Sequence, residues 1–179
     1  MIEARNLVKT YETKVKKGLF TKEKKKVEAV RGINITIEQG KIIGLLGLNG
    51  AGKTTTIKML STLLEPTSGE VRIDGVLTSS DPMGIKQQVN MIAGGERMIY
   101  WRLTGRENLW YYGQLYGIED KILKRRIDDL LSLVGLTDHQ DTPVERYSKG
   151  MKQRLQIARG LINDPEYLFM DEPTLGLDA

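Results

Sequence analysis

Gly47-Leu48-Asn49-Gly50-Ala51-Gly52-Lys53-Thr54 is the stretch on which the reading of this chain turns, and it has the form G-x-x-x-x-G-K-[ST]. Before it, Lys41 to Leu46 is a short apolar run of the kind found in a strand buried on both faces. After it, a helix is expected from Lys53, with Ile57, Leu60 and Leu64 on one side and Pro66-Thr67-Ser68-Gly69 ending it in a turn. In a strand–loop–helix unit of this kind, glycines let backbone N–H groups turn inward around a polyphosphate, and the helix N-terminus adds its partial positive charge. Lys53 then reaches the β- and γ-phosphates and the Thr54 hydroxyl ligates Mg²⁺, with Gly47 to Gly52 and Thr55 completing the cradle. The plainer reading is a glycine-rich turn before a surface lysine, but it leaves the register of strand, loop and helix to chance.

Leu168-Phe169-Met170-Asp171-Glu172 supplies a second half. An acid at the end of a buried apolar strand is where a phosphate-loop enzyme holds its magnesium, usually through a water, and Asp171 takes that role. Glu172, one residue further out, is placed to orient or deprotonate an attacking water. Without the upstream loop, the same residues read equally well as a solvated acidic turn before Pro173.

Strands and helices alternate between these motifs. Ile2 to Val8, Val27 to Ile37, Val71 to Ile73, Val89 to Ala93 and Tyr167 to Met170 read as strands. Thr104 with Glu107 is a capping-box pattern opening a helix through Trp110, Leu115 and Tyr116. A second helix carries Leu123, Ile127, Leu130, Leu131 and Val134 at helical spacing, and a third, from near Ser148, carries Met151, Leu155, Ala158 and Ile162. This order predicts an α/β core with an attached helical subdomain.

Composition narrows the class. The 179 residues suffice for one domain, and 40% hydrophobic with 28% charged residues is the balance of a globular protein. With no cysteine, disulfide frameworks and thiolate metal sites are excluded. No apolar run approaches the roughly 20 residues that cross a bilayer, and Met1 to Arg5 lacks the apolar stretch of a secretory signal. Work at a membrane therefore requires a partner. The net charge of +4 is local in origin: residues 14–26 hold seven lysines and one glutamate, and the remainder sums to −2. The bulk of the chain thus lacks a nucleic-acid signature. The lysine segment reads as a protruding hairpin or a mobile loop. It is either simply solvated or drawn to anionic headgroups.

Phosphate loop and acid pair, with the chain between them, resemble the ATP-binding cassette family over essentially the whole length. Tyr147-Ser148-Lys149-Gly150-Met151 is similar to that family's Leu-Ser-Gly-Gly-Gln signature, matching at Ser148 and Gly150 and departing at the other three positions. The resemblance implies that Ser148, Gly150 and their helix N-terminus contact the γ-phosphate of ATP bound by a second subunit. As a bare sequence, Ser148 is an N-cap serine. Leu175-Gly176-Leu177-Asp178 resembles the D-loop at the same dimer interface. Tyr11 matches the aromatic that stacks on adenine, and is otherwise a half-buried side chain near a strand end. In Gly94-Gly95-Glu96-Arg97 the family usually places a glutamine that touches Mg²⁺. Glu96 is the best match here, a carboxylate that can ligate the metal but changes the local charge.

What the resemblance implies is a P-loop ATPase fold with an N-terminal antiparallel β subdomain and an inserted helical subdomain. Residues 1–95 and 152–179 then form the nucleotide-binding core, and 96–151 the helical subdomain with the signature. Cofactors are ATP and Mg²⁺; partners are a second cassette subunit and an integral membrane permease, with no nucleic acid. The chain then sits peripherally on the inner face of the cell membrane, and the motif wording is most like exporters of drugs and other small hydrophobic compounds. Six of the eleven aromatics lie between Tyr100 and Tyr116, packing the helical subdomain and, at Tyr100 and Trp101, lining a permease groove. The family's switch histidine follows the D-loop. The single histidine, His139, precedes the signature, so it is a polar loop residue and weak hydrolysis is expected of a chain ending at Ala179. Two rivals stand beside this reading: a soluble cassette ATPase acting on nucleic acid or ribosomes, and a non-hydrolysing nucleotide-binding remnant.

Overall fold

Alternation at the N-terminus shows why the first part of the chain folds as a sheet: Ile2 and Ala4 are buried between the less buried Glu3 and Arg5. The structure is a computed structural model that describes residues 1–16, 22–94 and 99–172. The chain divides into two units, Met1–Ile85 and Lys86–Ala179.

In the first unit, β1 (Ile2–Lys16), β2 (Lys22–Ile37), β3 (Ser68–Ile73) and β4 (Val76–Leu77) form an antiparallel sheet in the order β2-β1-β3-β4. The alternation in β1 changes parity at Asn6, where φ is 48° and the register shifts, so that Leu7 rather than residue 6 is buried. The Asn6 N–H donates to Asn34 Oδ1 at 2.9 Å. Gly69 (φ 86°) is required opposite this kink, because a Cβ there would fall 2.3 Å from the Asn6 carbonyl oxygen. Helix α1 (Lys53–Leu60) packs on β1 and β2, burying Met59 and Leu60. It is shorter than the sequence suggested, stopping at Leu60, one turn before Leu64. Both hairpin strands are longer than expected, since the lysine segment continues the ladder through Lys16↔Lys22.

One expectation fails here. Lys41 to Leu46 pairs with no strand among the described residues, and its side chains are exposed, Ile42 fully and Leu46 at 93%. A two-face apolar strand needs hydrogen-bonded neighbours and a layer on each face. The four-stranded sheet of this unit gives the run neither, so its composition is that of a buried strand without the burial.

Helix α2 (Pro82–Gln88) leads to the second unit, whose parallel pair β5 (Val89–Ala93) and β6 (Tyr167–Asp171) is in register from Val89↔Tyr167 to Ala93↔Asp171. Between them lie α3 (Gly105–Leu115), α4 (Asp120–Leu133) and α5 (Lys149–Gly160). The capping box forms as expected: Thr104 Oγ1 accepts from the Glu107 N–H at 3.1 Å, and Glu107 Oε2 accepts from the Thr104 N–H at 2.8 Å. Leu109, Leu123, Ile127, Leu131, Leu155 and Ile162 close a common core. Burying such side chains contributes roughly 1.5–3 kcal/mol each.

Candidate functional site

The glycine-rich stretch Gly47 to Thr54 lies in the first unit, between an exposed approach and helix α1. Gly50 and Gly52 have φ of 82° and 87°, which L side chains rarely adopt. At Gly52 a Cβ would also fall 2.3 Å from the Ala29 carbonyl oxygen on β2, so the loop touches the sheet backbone there. Ala51 N–H closes on the Leu48 carbonyl at 3.1 Å. Lys53 folds back over the loop, its Nζ donating to the carbonyls of Gly47 (2.7 Å) and Leu48 (2.9 Å). Gly52 is the N-cap and has no side chain to offer the first-turn N–H groups, and α1 has no acid in its first turn. A compact backbone turn, a lysine ammonium over it and the positive end of a helix fit the chemistry of a bound polyphosphate with its magnesium. Thr54 is exposed and Thr55 half-buried in that first turn. Tyr11 belongs to the same unit, opposite Val27 on the hairpin; the residue is 39% exposed and Lys9 Nζ lies 5.7 Å from its ring centroid.

The other motif residues lie in the second unit. Asp171 ends β6, opposite Ala93, and its carbonyl accepts from the Gly94 N–H at 2.8 Å, carrying the parallel ladder one residue past β5. Glu172 follows at φ 50°, a left-handed conformation that a non-glycine residue adopts only under constraint. A Cβ on Gly94 would lie 3.0 Å from the Glu172 carbonyl oxygen, so the two chain ends leave the sheet in near contact. Glu96, in the segment after Gly94, and the D-loop match at Leu175 to Asp178 lie outside the described residues.

Ser148 is the N-cap of α5, with its hydroxyl accepting from the Met151 N–H at 3.2 Å. Gly150 sits in the first turn, half-buried. The far end of α5 is fixed to the strand that leads to Gly94: a Cβ on Gly160 would lie 2.4 Å from Ile92 Cγ1, and Arg159 Nη2 donates to the Met91 carbonyl at 2.6 Å. Tyr147, where the resembled signature has leucine, is buried, and its hydroxyl donates to the His139 carbonyl at 2.7 Å. His139 itself lies in a short 3-10 turn (Thr137–His139) with its side chain exposed.

Sequence reading passed over Arg159. Arg159 is 4% exposed, its guanidinium lies 5.2 Å from the centroid of the Tyr112 ring, and burial holds its pKa below the usual arginine value. The signal was present: Arg159 stands four residues after Leu155 and three before Ile162, on the apolar face of α5. For the left-handed backbone of Glu172 no sequence signal exists.

The chain resembles known proteins over nearly its whole length. Residues 30–175 match the family model described as ABC transporter. It is 46% identical over 159 residues (89% of this chain, 65% of that protein) to the ABC transporter ATP-binding protein NatA of Bacillus subtilis (strain 168). It is 44% identical over 151 residues (84% of this chain, 48% of that protein) to the bacitracin transport ATP-binding protein BcrA of Bacillus licheniformis. The chain thus spans about half to two-thirds of the length of these curated relatives. Among solved structures, the dimeric post-hydrolysis state of the ATP-binding cassette MJ0796 bound to ADP and Pi superposes with a TM-score of 0.84 at 25% identity, covering 100% of this chain and 77% of that one. No helix among the described residues is long and apolar enough to cross a membrane. With a family model matching from residue 30 to residue 175, this chain belongs to the ATP-binding cassette family of ABC transporter proteins.

Proposed function

We propose that the chain binds ATP with Mg²⁺ and hydrolyses it, in a pair of cassettes, to drive transport through a separate membrane permease. The observation that carries this reading is the loop from Gly47 to Thr54: Lys53 is drawn over the Gly47 and Leu48 carbonyls, and Gly52 lies too close to Ala29 for any side chain. In that role Gly47 to Gly52 offer backbone N–H groups to the phosphates, Lys53 neutralises their charge, and Thr55 adds a hydroxyl. Thr54, Asp171 and Glu96 are the residues that would hold Mg²⁺, and the metal would supply positive charge against the charge developing on the phosphates. Glu172 orients the attacking water and accepts its proton, and Tyr11 stacks on adenine.

Ser148 and Gly150 act on the nucleotide of a second subunit. The twelve residues of α5 span roughly 18 Å, which sets Ser148 well away from the Gly160 end that touches β5. Residues 1–95 and 152–179 form the nucleotide-binding core, and 96–151 the helical subdomain. Tyr100 and Trp101, both about half-exposed, line the permease groove. The motif wording and the similarity to the bacitracin transport protein BcrA support drugs or other small hydrophobic compounds as the exported cargo.

The test is nucleotide binding followed by turnover. Lys53→Ala should abolish binding of a fluorescent ATP analogue with Mg²⁺. Glu172→Gln should retain binding and lose hydrolysis in the permease complex. Binding that survives Lys53→Ala unchanged would refute the proposal.

A further inference from the structure

Outside the nucleotide-binding residues, the β1–β2 hairpin carries an uneven charge that the ladder register makes visible. Pairing is regular from Thr10↔Glu28 to Lys16↔Lys22, with Glu12↔Lys26, Lys14↔Lys24 and Val15↔Glu23 between. Because neighbouring positions on a strand point to opposite faces, positions 12, 14, 16, 22, 24 and 26 share one face of the ribbon. That face holds five lysine positions and one glutamate, while the other holds Tyr11, Thr13, Val15, Glu23, Lys25 and Val27. The single acid on the basic face is already engaged, with Glu12 paired to Lys26 at 3.4 Å. Beyond it, the register pairs lysine positions with lysine positions twice in succession, 14↔24 and 16↔22, and like-charged residues at paired positions disfavour a ladder by themselves. An anionic counter-surface removes that penalty.

We propose that the lysine face of the β1–β2 hairpin is a contact surface for an anionic lipid bilayer. Nothing in ATP binding uses these positions. Lysines act as point charges that suit a diffuse plane of headgroups, each adding attraction within a Debye length of the surface. Single-stranded nucleic acid is the less suited partner: its grooves interleave basic residues with aromatics, and Tyr11, the one aromatic among the paired positions, lies on the opposite face. The rest of the chain, at −2, adds no basic footprint for a duplex. The inference stands on register and charge, independently of any permease.

The experiment is co-sedimentation of the chain with vesicles of neutral phosphatidylcholine alone or with roughly one-third phosphatidylglycerol. Binding of the ATP analogue to the same samples reports that each variant is folded. The expected result is binding to the anionic vesicles only, weakening steeply between about 0.05 and about 0.5 M salt. Lys16→Gln with Lys22→Gln should weaken it tenfold or more, at about fivefold per lysine. The decisive variant is Glu23→Lys with Lys24→Glu. It leaves composition and net charge unchanged, puts an acid opposite Lys14, and splits the positive charge evenly between the two faces. It should also lose about tenfold. Wild-type vesicle binding by that variant, no binding to anionic vesicles, or salt-insensitive binding would each overturn the proposal. So would displacement from the vesicles by polyuridylate at equal salt, which would assign the face to nucleic acid.

Discussion

Arg159 Nη2 donates to the carbonyl of Met91 at 2.6 Å, joining the last turn of α5 to β5, the strand that runs on to Gly94. The same guanidinium lies over the Tyr112 ring of α3. One buried cation therefore ties α3, α5 and β5 together.

Arg159→Ala removes the stack and the hydrogen bond and leaves a cavity. It should destabilise the chain by about 2–4 kcal/mol. Arg159→Met keeps the volume without burying a charge, and exchanges of that kind are often near neutral. Urea unfolding followed by tryptophan fluorescence should thus rank wild type and Arg159→Met together, well above Arg159→Ala. Equal loss in both variants would mean that the charge itself is needed.

At Gly52 the clash with Ala29 and the left-handed φ act together. Gly52→Ala must therefore move the loop away from β2. The expected outcome is at least a tenfold loss of ATP-analogue affinity, about 1.4 kcal/mol. Gly40 is the control: its φ is also positive, but nothing lies within 4 Å of a Cβ there. Gly40→Ala should cost some stability and leave affinity unchanged. Calorimetric titration of both variants checks this.

Ser148 has a local role as an N-cap and a proposed distant one at a neighbour's nucleotide. Ser148→Ala should cost about 1 kcal/mol of stability by losing the bond from Met151. Ser148→Asp keeps a capping acceptor, and its charge favours the helix N-terminus. It should therefore be as stable as wild type yet repel the γ-phosphate and lose turnover in the permease complex. Full turnover by Ser148→Asp would leave the serine as a cap alone.

Burial raises the pKa of Tyr112, Tyr116 and Tyr147 above the ordinary tyrosine value. Above about pH 10 the unfolded chain gives up these protons before the folded one does, so the native state binds more protons and stability falls as pH rises. Below that pH the contribution is fully present. Urea midpoints at about pH 8 and about pH 10.5 should differ in the wild type. The gap should narrow in a variant with all three tyrosines changed to phenylalanine. An equal gap would place the alkaline sensitivity elsewhere, in the lysines for example.

Much of this molecule was legible before folding. The capping box at Thr104 and Glu107 and the apolar faces of α4 and α5 are local patterns, and local hydrogen bonds with a 3.6-residue period are enough to produce them. The glycine pattern before Lys53 and the acid after Met170 were equally readable, because steric freedom at a glycine and charge at a strand end belong to single residues. Lys41 to Leu46 shows the limit of that kind of reading. Its composition is that of a doubly buried strand, but burial depends on neighbours, and no strand pairs with it among the described residues. Likewise, the lysines of residues 14–26 were visible as a count. Only the register across the hairpin placed five of them at positions of one face, because strand pairing is a long-range choice that no single strand makes. The place of Arg159 was decided in the same way, by the packing of α3, α5 and β5 around it.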